Sequence, residues 1–328
     1  MPSTPLLSVV LSFRNEEDTL PEFIRRTRAT LAAAKQDGLI RGWELIFVND
    51  DSLDNSLNVL LEADKGHGDI KILTMSRRFG LTPCVLAGLA YSKKEVAVFM
   101  DCDLQDPPEL IPELIKAYAD QQADVVHTVR RIRLGESKLK LLITWIGYAI
   151  LNRYSSVPIP REAGDFKLVS RRVIDHLCQF TMEYNPFMRG LVGWVGFKQI
   201  FIPYDRQPRF AGETKFHIIS KKVISNFLTS ALVNFSSVPL QIASYCGLCA
   251  ILLDIFLLLY VLSQKLTGQS IPGWSALMLV ILFIGGVQLF CTGMIGLYLN
   301  SVHQQSKMRP NYIVSSSYGF DQPAPPRA

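Results

Sequence analysis

Two uninterrupted apolar runs near the C-terminus, Leu240–Leu262 and Trp274–Leu299, restrict this chain most. Each exceeds the roughly 20 residues that a helix needs to cross a bilayer. The first holds one charge, Asp254, and the second holds none. Core helices of soluble domains keep a polar face over such lengths, so the pair reads as two membrane helices. Lys215, Lys221 and Lys222 precede the pair, Lys307 and Arg309 follow it, and the hairpin Ser263–Gly273 between them carries only Lys265. The positive-inside rule then places both termini on the cytoplasmic side. Met1–Pro5 lacks the basic segment that opens a secretory signal. Cysteine usage agrees with a reducing compartment: the six cysteines are scattered, and Cys246 and Cys249 have no second pair or nearby His to make a zinc site. Asp254 inside the first run would need a partner such as Gln288, and Gly285, Gly286 and Gly293 would permit close helix packing in a homo-oligomer.

Ahead of the runs, from Leu6 to about Phe201, short β-rich segments alternate with helical ones. Leu7–Phe13, Trp43–Val48, Ile70–Thr74, Val96–Met100 and Asp124–Val129 read as strands; Glu17–Ala34, Asn55–Lys65, Pro83–Tyr91 and Pro108–Asp120 read as helices. This alternation predicts an α/β domain with a mostly parallel sheet covered on both faces. In such folds ligands gather at the carboxyl ends of strands. Asn49-Asp50-Asp51 and Asp101-Cys102-Asp103 fall at two such ends. No glycine-rich dinucleotide or P-loop signature is present. The net charge of +5 is too modest and too dispersed for a nucleic-acid array, but suits an anionic membrane or phosphorylated substrates. The expected organisation is a catalytic domain over 1–212, an amphipathic juxtamembrane region over 213–237, a two-helix anchor over 238–300, and a disordered cytosolic tail over 301–328. A further basic, aromatic helix is expected between Leu134 and Tyr154.

The stretch Phe99–Leu110, "FMDCDLQDPPEL", concentrates acids where the fourth strand leaves the sheet. Carboxylates packed this closely repel one another and need a cation. A hard ion such as Mg²⁺ or Mn²⁺ takes one or two carboxylates plus substrate phosphates. If the loop stays extended, Asp103 and Gln105 point to one side and offer two oxygens. Asp106, before Pro107-Pro108, suits a helix start.

Seven blocks, in order, resemble the membrane-bound polyprenyl-phosphate transferases of glycosyltransferase family 2. They are Val9–Glu17, Val48–Asp54, Ser76–Gly80, Met100–Glu109, Ala163–Arg172, Arg189–Phe197 and Tyr204–Lys215. The chain is similar to dolichol-phosphate mannose synthase and, more closely, to bactoprenol glucosyltransferases. The resemblance implies a GT-A (Rossmann-like) cytosolic domain on two transmembrane helices in the bacterial inner membrane. It implies inverting transfer of one glucose from UDP-glucose to undecaprenyl phosphate, for cell-surface glycan or O-antigen modification. It assigns Asp103 and Gln105 to a Mg²⁺ or Mn²⁺ ion and Asp101 to the sugar–ribose part of the donor. Asn15, Glu16, Asp50, Arg77 and Lys215 are implied in donor binding, with Asp50 on the base. Arg131, Arg133 and Ser137 are implied at the acceptor phosphate, and Arg209 near the reacting phosphates. Asp165 matches a catalytic base of soluble relatives. A lipid phosphate is already anionic and needs no such base, so Asp165 is expected to position the acceptor or a basic partner.

Two positions depart from the family pattern: Asn49 stands where Asp is expected, and Asp51 where Gly is common. Asp tolerates a left-handed backbone better than most residues, so the turn is expected to survive. The departures leave room for another donor (GDP-mannose, UDP-N-acetylglucosamine or an aminoarabinose derivative) or for a membrane binding protein without catalysis.

Overall fold

The structure, a computed structural model, describes residues 4–130, 163–179, 186–205, 238–266 and 273–320. They fall into two compact units, one carrying a β-sheet and its covering helices, the other a pair of long helices. In the first, β1 (Leu6–Phe13), β2 (Gly42–Asn49), β3 (Ile70–Met75) and β4 (Val96–Asp101) alternate with α1 (Leu20–Gln36), α2 (Ser56–Asp64) and α3 (Leu81–Tyr91). One 3₁₀ turn, Pro108–Leu110, leads from β4 into α4 (Ile111–Gln121), and β5 (Val125–Arg130) follows. Further on come β6 (Ala163–Ser170), α5 (Arg171–Leu177), α6 (Met188–Trp194) and β7 (Gln199–Tyr204). The last strand is β8 (Val314–Tyr318).

Among the described residues these strands form one sheet in the order β7-β5-β6-β4-β1-β2-β3-β8. The centre is parallel, β4-β1-β2-β3, and β5 and β7 also pair in parallel. β6 runs antiparallel between β4 and β5, and β8 runs antiparallel to β3. This is the GT-A-like α/β fold with a mostly parallel sheet. The sequence follows from the topology: β1 is buried along nearly its whole length because helices cover both faces, so it reads as an unbroken apolar run. At the β7 edge, burial alternates instead.

Helix α3 lies directly on β1 and β2. A Cβ on Gly88 would stand 2.3 Å from Val10 Cγ1 and 3.1 Å from Val48 Cγ2. Gly88→Ala is therefore expected to destabilise the domain by about 1–3 kcal/mol, read as a lowered melting temperature. An unchanged melting temperature would show that α3 can lift from the sheet.

The expected disordered tail is corrected over part of its length. β8 pairs with β3, the Ile313 carbonyl accepts from the Ser76 N–H at 2.9 Å, and Tyr318 Oη donates to Asp64 at 3.1 Å. Phe320 packs edge-on to Tyr91, and a Cβ on Gly319 would stand 2.9 Å from the Ile70 carbonyl oxygen. The serines of this segment hide the strand from any hydropathy reading. It is an edge strand with exposed side chains, held mainly by backbone hydrogen bonds.

The second unit comprises α7 (Val238–Leu266) and α8 (Trp274–Ser306), which meet where Cys291 Sγ lies 3.1 Å from the Ala243 carbonyl oxygen. Both expose large apolar side chains, including Leu252, Phe256, Leu289 and Ile295. Among the described residues one segment, Phe283–Ser306, is long and apolar enough to cross a membrane. The expected amphipathic helices at 134–154 and 215–235 lie outside the described residues.

Candidate active site at the carboxyl ends of the strands

The parallel topology brings the ends of β1, β2, β4 and β5 to one edge of the sheet, with the end of β7 and the start of antiparallel β6 beside them. Three of the loops leaving this edge contain a non-glycine residue with left-handed backbone: Asn15 (φ 52°), Asp51 (φ 58°) and Leu104 (φ 57°). Such residues are uncommon and cluster at functional sites. Asp51 thus adopts the conformation expected of it.

The first two loops are laced together. Asn15 Oδ1 accepts from the Leu53 N–H at 2.9 Å, and the Asn15 N–H donates to Ser52 Oγ at 3.1 Å. Asn49, nearly fully buried, accepts from the Ser52 N–H through Oδ1 at 2.9 Å. A neutral amide can make this bond without adding another buried carboxylate beside Asp50 and Asp51, which accounts for Asn at that position. Asp50 is itself buried and fastens the next loop: Oδ1 accepts from the Phe79 N–H at 2.6 Å, and Oδ2 from the Gly80 N–H at 3.1 Å. Arg77 in that loop is exposed and lies over the Phe79 ring at 4.0 Å.

The third loop holds the acids. Leu104 is buried in the core while its backbone is left-handed, so the chain turns at 104. The premise of an extended loop therefore fails; the Gln105 N–H instead donates to Asp103 Oδ1 at 3.2 Å, a short side-chain turn. Asp101, Asp103 and Gln105 are partly exposed, while Cys102 between the acids is buried. Burial, together with Asp101, Glu16 and Asp103, pushes the Cys102 thiol well above its ordinary value. Glu16 therefore joins the two aspartates around Cys102, and its own carboxylate also accepts from Thr19 Oγ1 at 2.8 Å. Among the described residues no three His, Cys, Asp or Glu side chains converge as a protein-only metal cage. The donor set is one of hard oxygens, which fits Mg²⁺ or Mn²⁺ completed by phosphates.

Beyond the acids the same edge is cationic. Asp106 is buried and accepts from Tyr204 Oη, so its side chain serves the end of β7 as well as its own loop. Arg130 Nε donates to Tyr204 Oη at 3.4 Å. Burial and then Asp106 push the Tyr204 hydroxyl up to about 12, keeping it a donor. Asp165 is held by Arg189 through two parallel bonds, Nε to Oδ1 at 3.0 Å and Nη2 to Oδ2 at 2.8 Å. Burial alone would raise the Asp165 carboxyl. Arg189, Lys167 and Arg130 outweigh it and hold Asp165 well below the usual carboxylate range. So placed, Asp165 is a fixed anion with a basic partner, not a proton acceptor near neutral pH.

Arg130, Arg189, Tyr204 and Lys167 had no role in the sequence reading. Arg189 lies in the first turn of α6, "MRGLVGW", and meets Asp165 only through the fold; its signal was an arginine near the start of a short apolar helix. Arg131, Arg133, Ser137, Arg209 and Lys215 lie outside the described residues. A groove of about 680 Å³ lies between α1 and α2, and its arginines are already paired, Arg25 with Glu22 and Arg28 with Asp69.

A family model described as glycosyl transferase family 2 matches residues 8–178. A glycosyltransferase of Synechocystis is 37% identical over 316 residues, covering 96% of each chain. The prophage bactoprenol glucosyl transferase homolog of Escherichia coli K12 is 31% identical over 309 residues, covering 94% of this chain and 98% of that protein. A crystal structure of glucosyl-3-phosphoglycerate synthase from Mycobacterium tuberculosis, in complex with Mn²⁺, UDP-glucose and phosphoglyceric acid, aligns with a TM-score of 0.45 and 18% identity. That alignment covers 68% of this chain and 79% of that one. The family match spans β1 to the end of α5, the segment that supplies the acid loop, and the relatives extend it over nearly the whole chain: the protein belongs to glycosyl transferase family 2.

Proposed function

We propose that this protein transfers one sugar from a nucleoside diphosphate donor, UDP-glucose, to a polyprenyl phosphate, with inversion at the anomeric carbon. The observation that carries the reading is the juxtaposition at one sheet edge of the acid loop, Asp101 and Asp103, with the guanidiniums of Arg130 and Arg189. A metal–diphosphate and an anionic acceptor need those two environments side by side. Relatives named as bactoprenol glucosyl transferases support the acceptor class.

In this reading Asp103 and Gln105 hold the Mg²⁺ or Mn²⁺ ion. When bound, the ion neutralises charge on the leaving diphosphate. Asn15, Glu16, Asp50 and Arg77 form the nucleotide side, with Asp50 keeping the Arg77 loop in place while accepting from the base. Asp101 faces the sugar and ribose. Arg130 and Arg189 meet the acceptor phosphate, joined by Arg131, Arg133 and Ser137, while Arg209 and Lys215 face the donor phosphates. The acceptor oxygen attacks as an anion, so no protein base is needed, and rate comes from positioning and electrostatics. α7 and α8 both span the bacterial inner membrane, with the catalytic unit and both termini cytoplasmic, in keeping with the flanking lysines and the exposed apolar faces.

Thermal melting of the purified full chain with nucleotide sugars tests the donor side. UDP-glucose with Mn²⁺ is expected to raise the melting temperature more than GDP-mannose or UDP-N-acetylglucosamine does, and chelation is expected to remove the effect. No shift with any nucleotide sugar would overturn the reading. A larger shift with another donor would replace glucose and keep the reaction class.

A further inference from the structure

Lys167 is a charged side chain in the middle of the sheet. It sits on β6 opposite Phe99 of β4 and His127 of β5, and His127 in turn stands opposite Phe201 of β7. The residue is fully buried, and among the described residues its Nζ has no hydrogen-bond partner. Its nearest surroundings give little compensation. The ammonium lies 5.8 Å from the centre of the Phe99 ring. His127 stacks on Phe201 at 4.9 Å and spends Nε2 on Gln199 Oε1 at 2.7 Å. Burial and then Lys167 push His127 down to about 4, so the imidazole beside the lysine is neutral. Burial lowers the Lys167 amine to about 8, with Asp165 opposing the fall, and it remains largely protonated at neutral pH.

An unpaired buried ammonium is costly, and methionine fills the same volume without a charge. Lys167 therefore needs a reason that packing does not supply. Two residues earlier on the same strand stands Asp165, with Arg189 bound to it and both Arg130 and Lys167 acting on its charge. With Asp106 acting on Arg130 as well, two carboxylates face three cations, a surplus of one positive charge. Without Lys167, Asp165 would cancel most of the charge of Arg189, and the edge would lose its surplus of positive charge.

We propose that Lys167 is a positioning residue that acts through Asp165, maintaining at the Arg130–Arg189 edge an excess of positive charge that is completed by a bound phosphate group. This rests on the reading above, in which a phosphate occupies that edge. The phosphate has two possible sources, the monoester of the lipid acceptor and the diphosphate of the donor.

The test compares full-length wild type with Lys167→Met in detergent, by melting and by binding, without turnover. Farnesyl phosphate represents the acceptor monoester, and UDP with Mn²⁺ represents the donor. Ligand-free Lys167→Met is expected to melt at or above the wild-type temperature, because a buried unpaired charge is gone. Its affinity for one of the two probes is expected to fall at least tenfold: farnesyl phosphate if the monoester completes the cluster, UDP if the diphosphate does. Lys167→Gln is expected to reproduce the loss. A ligand-free variant that melts lower, with wild-type affinity for both probes, would overturn the inference and leave Lys167 a packing residue. Failure of both variants to fold would overturn it equally. Wild-type protein that binds neither probe would sink the functional reading instead, so the two failures are distinguishable.

Discussion

Asp103→Ala is expected to lower sugar transfer by roughly 10³-fold or more while leaving the unfolding free energy within about 0.5 kcal/mol of wild type. The side chain is partly exposed, accepts the short bond from the Gln105 N–H, and shares its surroundings with Asp101 and Glu16. Removing one of several crowded carboxylates relieves repulsion, so the fold has little reason to suffer. A Mg²⁺ or Mn²⁺ ion held by Asp103, as proposed, would in contrast be lost, and with it the charge it would supply to the leaving diphosphate. Steady-state turnover across a Mn²⁺ titration, alongside melting curves, separates the two effects. Near-normal turnover would remove Asp103 from the metal assignment, and a collapsed fold would show that the acid loop is structural.

The second large effect concerns the pair across the site. Arg189→Ala takes both bonds from Asp165 and is expected to cost about 2–3 kcal/mol, at the lower end for a buried pair because each side chain is about a quarter exposed (Asp165 26%, Arg189 25%). Transfer is expected to fall by about 10²–10³-fold, as a positively charged contact to phosphate is lost. Acid provides an independent reading. The Asp165 carboxyl is depressed in the folded protein, so the stability it contributes is present at neutral pH and is lost as pH falls below about 4, the unfolded carboxylate value. The stability gap between wild type and Arg189→Ala should therefore be constant from pH 7 to about 5 and narrow below that. A gap that stays constant into acid would mean that Arg189 stabilises by packing alone. Asp165→Asn is expected to lose the same pH-dependent component.

The sheet core was readable because β1, β2, β3 and β4 are buried on both faces and so appear as apolar runs between helices. The same physics hid the flanks. β6 mixes Asp165 and Lys167 with apolar residues because one end lines the site and its middle carries a buried charge. β8 is a row of serines held by backbone bonds, and hydropathy cannot report it. In the site, the acids were visible because three aspartates after a strand need an explanation. The turn at Leu104 was not, since a buried leucine gives no hint of a left-handed backbone. Asp165 and Arg189 lie on β6 and α6, and only the packing of α6 against the sheet brings them together. Asp50 was legible as a site residue, but its hold on the Phe79 and Gly80 amides required the fold.

The chemistry proposed for this strand-end site is the joining of a sugar to a lipid phosphate. The most direct measurement incubates the purified full chain with labelled UDP-glucose, undecaprenyl phosphate and Mn²⁺, and identifies the lipid-extractable product by mass and anomeric NMR coupling. The expected product is a β-linked undecaprenyl phosphate hexose that disappears with chelator and with Asp103→Ala. Free glucose alone, or no lipid-linked sugar from any nucleotide donor, would contradict it.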